Sequence, residues 1–223
     1  MAISQRLGAQ FAVLFARLGL SPTVMSAANL LVGLVASVAV LLAAPGMADG
    51  SVPPALLGLV AFVCWQVAYA LDCGDGQLAR VTKTGSPAGA RVDVLCDVAL
   101  QIALCAAVSA VAAAYTPTAP AWVFAAFAGT WAVNLVTSVM QTGDAASSMI
   151  TSQSLSVKLV KLIRDYGALT ALIGLVLAFI PQWMIWLVVT FTAVNALFLL
   201  ASIVFAARSA QRAWAEARGP GRP

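Results

Sequence analysis

The sequence predicts an all-α integral membrane protein, a bundle of six transmembrane helices preceded by an amphipathic helix in the membrane interface. Three observations lead there. Of the 223 residues, 62% are hydrophobic and only 9% charged, whereas a soluble domain is about a quarter charged. Three stretches, Leu18–Ala48, Val98–Gly143 and Tyr166–Ala207, carry no charge, and each can hold one or two crossings of about 20 residues. All twelve Lys and Arg fall on one side of the resulting layout.

In the N-terminal segment, residues 1–20, Ile3, Leu7, Phe11, Leu14, Phe15 and Leu18 recur at helical spacing, with Gln5, Arg6, Gln10 and Arg17 between them. That pattern fits a helix lying flat in the interface. It lacks the basic start, short apolar core and small-residue cleavage site of a signal peptide. Residues 21–216 form one six-span domain. Pro45-Gly46, the Pro117–Pro120 segment and Pro181 supply breaks. The expected spans are Thr23–Ala44, Pro54–Ala79, Ala90–Tyr115, Ala119–Gln141, Lys158–Ile180 and Gln182–Ala207. Residues 217–223 read as a disordered tail.

The basic residues set the orientation. Arg6 and Arg17 precede span one, and Arg80, Lys83 and Arg91 surround the second connection. Lys158, Lys161 and Arg164 surround the fourth, and Arg208, Arg212, Arg218 and Arg222 follow span six. The turns at Pro45–Pro53, Thr116–Pro120 and Pro181 contain none. Both termini are therefore expected in the cytoplasm of a plasma-membrane protein. The net charge of +4 is accounted for by topology and anionic lipid, so nucleic acid is not needed as a partner. Cys64, Cys73, Cys96 and Cys105 lie in or beside spans two and three. With no histidine in the chain and no zinc-type spacing, they read as small buried hydrophobes.

Half of the eight acidic residues, Asp72, Asp75, Asp93 and Asp97, fall in a window of 26 residues. A carboxylate at membrane depth is costly and persists where it is paired. Asp72 and Asp75 are three apart, Asp93 and Asp97 four apart, so each pair shares a helix face. The first pair closes span two and the second opens span three. Antiparallel helices joined by the short connection Lys83–Gly89 bring the pairs face to face, just inside the cytoplasmic boundary. Oxygen donors alone select a hard cation, Mg²⁺ or Mn²⁺. Gly74, Gly76 and Gly89 leave room for close approach of a ligand, and Arg80, Lys83 and Arg91 complement phosphate oxygens. A boundary salt bridge such as Asp72 with Arg80 is the plainer alternative, but four facing acids without a cation would repel one another.

Asp72, Asp75, Gly76, Ala79, Arg80, Gly89, Asp93 and Asp97 resemble, at all eight defining positions, the CDP-alcohol phosphotransferase signature D-x2-D-G-x2-A-R-x8-G-x3-D-x3-D. Leu20-Ser21-Pro22 before span one is also similar to the family, although Thr23 stands where an Asn is common. The resemblance implies a membrane phosphotransferase of phospholipid biosynthesis. Such an enzyme displaces CMP from a CDP-linked donor, commonly CDP-diacylglycerol, with the hydroxyl of a small alcohol. It further implies that Asp72, Asp75, Asp93 and Asp97 hold metal, with Asp97 the favoured general base. Gly76, Ala79 and Gly89 would line the CDP site, Arg80 would position phosphate or pin the hairpin, and a homodimer follows by analogy.

The acceptor is less defined. Lys158, Lys161 and Arg164, with Arg91 facing the same cavity, suit an acceptor phosphate such as that of glycerol-3-phosphate. The same charges also serve topology alone. Gln141–Ser156 contains Asp144 and no Lys or Arg, which counts against inositol phosphate; serine or an unusual polyol remains open. Two other functions are compatible with an intramembrane aspartate cluster. A Mg²⁺-dependent membrane prenyltransferase also uses aspartate clusters, but Gly76, Ala79-Arg80 and Gly89 and the six spans argue against it. A divalent-cation transporter needs a path from both sides, and the acids cluster on one side.

The layout makes a topological prediction. Cysteines introduced at Asp49 and Thr118 should react with impermeant reagents from outside the cell, and those at Lys83 and Ser152 only from the cytoplasm. A mixed or reversed pattern would break the six-span layout.

Overall fold

The computed structural model of the protein describes residues 2–140 and 166–217, and every regular element among them is helical. We number these α1 (Ala2–Arg17), α2 (Pro22–Ala48), α3 (Pro54–Thr82), α4 (Pro87–Tyr115), α5 (Ala121–Met140), α6 (Tyr166–Phe179) and α7 (Met184–Ala217), with a 3₁₀ turn at Pro181–Trp183. Among the described residues four helices are long and apolar enough to cross a membrane: α2, α3, α4 and the segment Pro181–Arg212. Within the described residues Ala121–Val133 and Tyr166–Phe179 are shorter apolar helices. Large apolar side chains such as Leu31, Leu42, Leu56, Ile102, Trp186 and Leu197 point outward, an arrangement suited to lipid and unfavourable in water.

The helix starts follow from their first residues. At α2 and α4 a serine in extended conformation is followed by proline at the first helical position, where a missing N–H costs nothing. Ser86 Oγ accepts from Gly89 N at 3.0 Å, and Ser21 Oγ from Val24 N at 3.4 Å. The Ser86 cap starts α4 three residues before the expected Ala90. At the other end of the connection, Lys83 takes a left-handed conformation (φ 56°) and its N–H bonds to Ala79 O, closing α3.

Two expectations are corrected. The break at Pro45-Gly46 does not occur, because α2 runs through Pro45 to Ala48. Proline near a helix end disturbs only the preceding turn. The chain reverses instead at Gly50 (φ 84°), where Ser51 Oγ donates to Gly46 O and Ser51 N to Asp49 Oδ1. Hydrogen bonds from the Ser51 side chain and backbone hold the Asp49 carboxyl below its usual pKa. The final helix also continues to Ala217, past the expected end at Ala207, so Arg208 and Arg212 extend it as an exposed cationic segment.

Helix α1 packs mainly on α3, through Gly8 and Ala12 together with Phe11 and Phe15 of the apolar stripe. Gly8 and Ala12 are buried and Phe11 and Phe15 partly so, while Leu7, Leu14 and Leu18 stay exposed. Close approach decides this choice. A Cβ on Gly8 would lie 2.8 Å from Ala70 O and 3.1 Å from Gly74 N, so only glycine lets the two backbones meet there. Ala12, Met25, Leu71 and Leu78 form a small core where α1, α2 and α3 join.

The larger core fills the other half of the bundle. It runs from Ala36 to Met47 on α2 through Trp65, Leu104–Ala112, Phe127 and Ile173 to Phe191. Polar groups inside it are paired across helices. Trp65 Nε1 donates to Ser37 Oγ (3.1 Å), Trp131 Nε1 to Gln101 Oε1 (3.0 Å), and Gln66 Nε2 to Thr170 Oγ1 (3.0 Å). Helices α3 and α6 run antiparallel on small residues, Gly58 against Ala178, Gly174 against Phe62 and Gly167 against Tyr69. Such contacts drive association where lipid removes the hydrophobic incentive.

This interface is testable. A Cβ on Gly58 would lie 2.5 Å from the Ala178 backbone, whereas Gly129 on α5 has open space around it. Gly58→Leu should destabilise the purified protein by about 1–3 kcal/mol or more through overpacking, read as a lower Tm in detergent. Gly129→Leu should leave Tm nearly unchanged, and equal effects would contradict the packing described.

Candidate active site

The four aspartates occupy facing turns of α3 and α4, and α2 packs against both helices. Ligand oxygens of Asp72, Asp75 and Asp93 all lie within 4.8 Å of one another. Asp97 stands next to this trio, beside Asp72 and within electrostatic range of Asp93. Three of the four acids thus gather mutually, and Asp97 joins them through Asp72. Two layers result: Asp75 and Asp93 nearer the helix ends, Asp72 and Asp97 one turn deeper.

The cluster is anchored from α2. Ser26, itself buried, donates through Oγ to Asp75 Oδ2 at 2.6 Å, the short distance of a hydrogen bond to a charged acceptor. Asp75 is only 5% exposed. Asp93 Oδ1 is enclosed and has no hydrogen-bond partner among the described residues. Buried polar atoms are almost always satisfied, so an orphan marks a place for something else. An enclosed carboxylate oxygen beside two further carboxylates fits a hard divalent cation.

A cavity of about 240 Å³ opens onto Asp75 and Asp93. Its walls come from Ser21–Thr23 and Ser26 of the α2 start, Gly76 and Ala79 of α3, and Thr84–Ser86, Gly89 and Ala90 at the α4 start. The N-termini of two helices therefore border it, and their partial positive charge favours an anion. Among the described residues, the side chain nearest an added Cβ on Gly76 is that of Arg80, whose Nη1 would be 3.5 Å away. The guanidinium thus lies over the glycine, exposed at the rim.

The sequence-predicted residues separate accordingly. Gly76, Ala79 and Gly89 line the cavity, while Arg80 lies beside it and is exposed, as are Lys83 and Arg91. Lys158, Lys161 and Arg164 fall outside the described residues. Gly74 is corrected. A Cβ there would meet the Met25 side chain and the Gly8 carbonyl, so this glycine admits α1 and α2 and not a ligand. Sequence reasoning missed Ser26, Thr84 and Ser86. The paired Ser21-Pro22 and Ser86-Pro87 are helix-start signals that would have pointed to two N-termini at one place. Cys96 and Cys105 are buried, in line with the hydrophobic reading of these thiols.

The family model for CDP-alcohol phosphatidyltransferase matches residues 19–206. No curated protein and no solved structure matches the chain significantly.

The acid geometry yields a two-sided expectation. Asp93→Asn removes one of three crowded charges, so the cation-free protein should unfold at the same or a higher temperature. With Asp93 as a metal ligand, the same change would also shrink or abolish any rise in Tm on adding Mn²⁺. A full Mn²⁺-induced rise in the variant would exclude Asp93 as a ligand.

Proposed function

This chain belongs to the CDP-alcohol phosphatidyltransferase family, and on that premise we propose that it is a Mg²⁺- or Mn²⁺-dependent phosphatidyltransferase using CDP-diacylglycerol. Family membership and its apolar helices make it an integral membrane protein of phospholipid synthesis. The finer reading adds six spans, cytoplasmic termini, an active site at the cytoplasmic face and a homodimer. The acceptor is a small alcohol, with a polyol phosphate such as glycerol-3-phosphate the first to test. One observation carries the reading: a cavity bordered by two helix N-termini ends on crowded carboxylates, one of which has an enclosed, unpartnered oxygen.

The chemistry follows from that juxtaposition. A diphosphate and a group of carboxylates repel one another, and a bound divalent cation would supply the charge neutralisation that lets both occupy the site. Asp72, Asp75 and Asp93 would hold it. Gly76, Ala79 and Gly89 give the nucleotide end of the donor room beside the helices, and the α2 and α4 N-termini stabilise phosphate charge. Arg80, over Gly76, offers its guanidinium to phosphate at the rim.

Transfer forms a bond between the acceptor oxygen and the phosphorus that bears diacylglycerol. The bond from that phosphorus to the oxygen bridging to CMP breaks, and CMP leaves with the bridging oxygen. Asp97, beside the trio, accepts the hydroxyl proton. Lys158, Lys161 and Arg164, with Arg91, are assigned to an acceptor phosphate. The membrane setting suits a donor whose head must meet a water-soluble alcohol while its acyl chains stay in lipid.

The test is CMP release by purified protein from CDP-diacylglycerol with a panel of alcohols. Turnover should require Mg²⁺ or Mn²⁺ and stop in EDTA; full turnover in EDTA would sink the mechanism. Asp97→Asn should retain donor binding while losing turnover by roughly two orders of magnitude or more. Loss of donor binding equal to that of Asp93→Asn would make Asp97 a ligand instead.

A further inference from the structure

The proposed site leaves one buried polar group unexplained. Asn29 on α2 is 1% exposed, and its Nδ2 is enclosed with no hydrogen-bond partner among the described residues. Asn29 Nδ2 and Asp93 Oδ1 are the two enclosed side-chain atoms in that condition there. One is a donor without an acceptor, the other an acceptor without a donor.

Helix register places Asn29 at the acid cluster. Between α2 and α3, Ser26 bonds Asp75, Gly33 abuts Ala68 and Ser37 bonds Trp65. This antiparallel ladder sets Asn29 opposite Asp72. Between α2 and α4, Thr23 neighbours Gly89 and Gly33 abuts Leu100, which sets Asn29 level with Cys96, the residue before Asp97. Asn29 also shares one helix face with Ser26 and Gly33, the face buried against both partners. Ser26 serves the outer layer of acids through Asp75, and Asn29 holds the equivalent place for the inner layer.

We propose that Asn29 is a positioning residue of the acidic site, its amide N–H donating to the Asp72 carboxylate and holding it in the orientation that a divalent cation requires. In the cation-free protein Asp72 shares a side-chain hydrogen bond with Asp97 and faces the charge of Asp93. Two carboxyls share such a bond only through a proton, which a divalent cation displaces, so in the loaded site Asp72 needs another donor. A carboxylate ligand is commonly fixed by a hydrogen bond to an oxygen not used for the metal. An amide kept unpaired in an enclosed position costs stability, and a role in the loaded site accounts for keeping it. The inference rests on the cation reading of the cluster.

The experiment measures Mn²⁺ binding to the full-length protein by the loss of free-ion EPR signal, together with Tm in the absence of cation. Asn29→Leu is close in size and has no donor; Asn29→Ser retains one. The leucine variant should bind Mn²⁺ about tenfold or more weakly, with a cation-free Tm equal to or above wild type, since the unpaired amide is gone. The serine variant should recover part of the affinity. Wild-type affinity in Asn29→Leu, or equal losses in both variants, would overturn the positioning role while leaving the acidic site intact. Absence of Mn²⁺ binding by the wild type would overturn both. Should the leucine variant not fold, Asn29→Ala against Asn29→Ser gives the same comparison, because the two differ only in the donor.

Discussion

Repulsion among carboxylates brought together between apolar helices is the constraint around which this bundle is built. Asp72, Asp75 and Asp93 sit with oxygens within 4.8 Å of one another, where Coulomb energy in a partly desolvated setting is several-fold larger than in water. Such a cluster needs rigid helices to hold it and a countercharge to occupy it. The rigidity is visible in the packing. Gly8 and Gly74 let α1 close on α3 between the turns that carry Asp72 and Asp75, and Met25 fills the other side. Ser26 ties α2 to Asp75. The short reversal at Lys83, with Ser86 capping α4, fixes the second pair against the first.

The same connections that gather the acids also create their electrostatic complement. Starting α2 and α4 with Ser-Pro brings two helix N-termini to the mouth of the cavity, so its walls favour an anion while its floor favours a cation. A diphosphate paired with a divalent metal satisfies both. Placing the main core in the opposite half of the bundle frees this end from packing duties. Glycine and alanine can therefore line it without loss of a hydrophobic anchor.

Much of this was legible in the chain. Charge-free stretches identify apolar helices because hydrocarbon tolerates little else. The spacing of Asp72, Asp75, Asp93 and Asp97 identifies shared faces because the helical period is fixed. What the sequence concealed depends on contacts between distant segments. Gly74 reads as room for a ligand until α1 is seen to occupy it, and Phe11 and Phe15 face inward because Gly8 decides where α1 can approach. Pro45 reads as a stop, yet it forfeits only the bond to Leu41 O and the helix runs on to Ala48, so the reversal falls at Gly50. Ser26 and Asn29 carry no motif at all. Their significance comes from the register of α2 against α3.

A crystal of the protein grown with Mn²⁺ and a CDP-linked lipid, measured at the manganese edge, addresses the central claim directly. The arrangement of acids predicts an anomalous peak enclosed by Asp72, Asp75 and Asp93, in contact with Asp93 Oδ1 and with the donor's diphosphate. Manganese bound elsewhere, or no peak among these carboxylates with donor in the cavity, would contradict it.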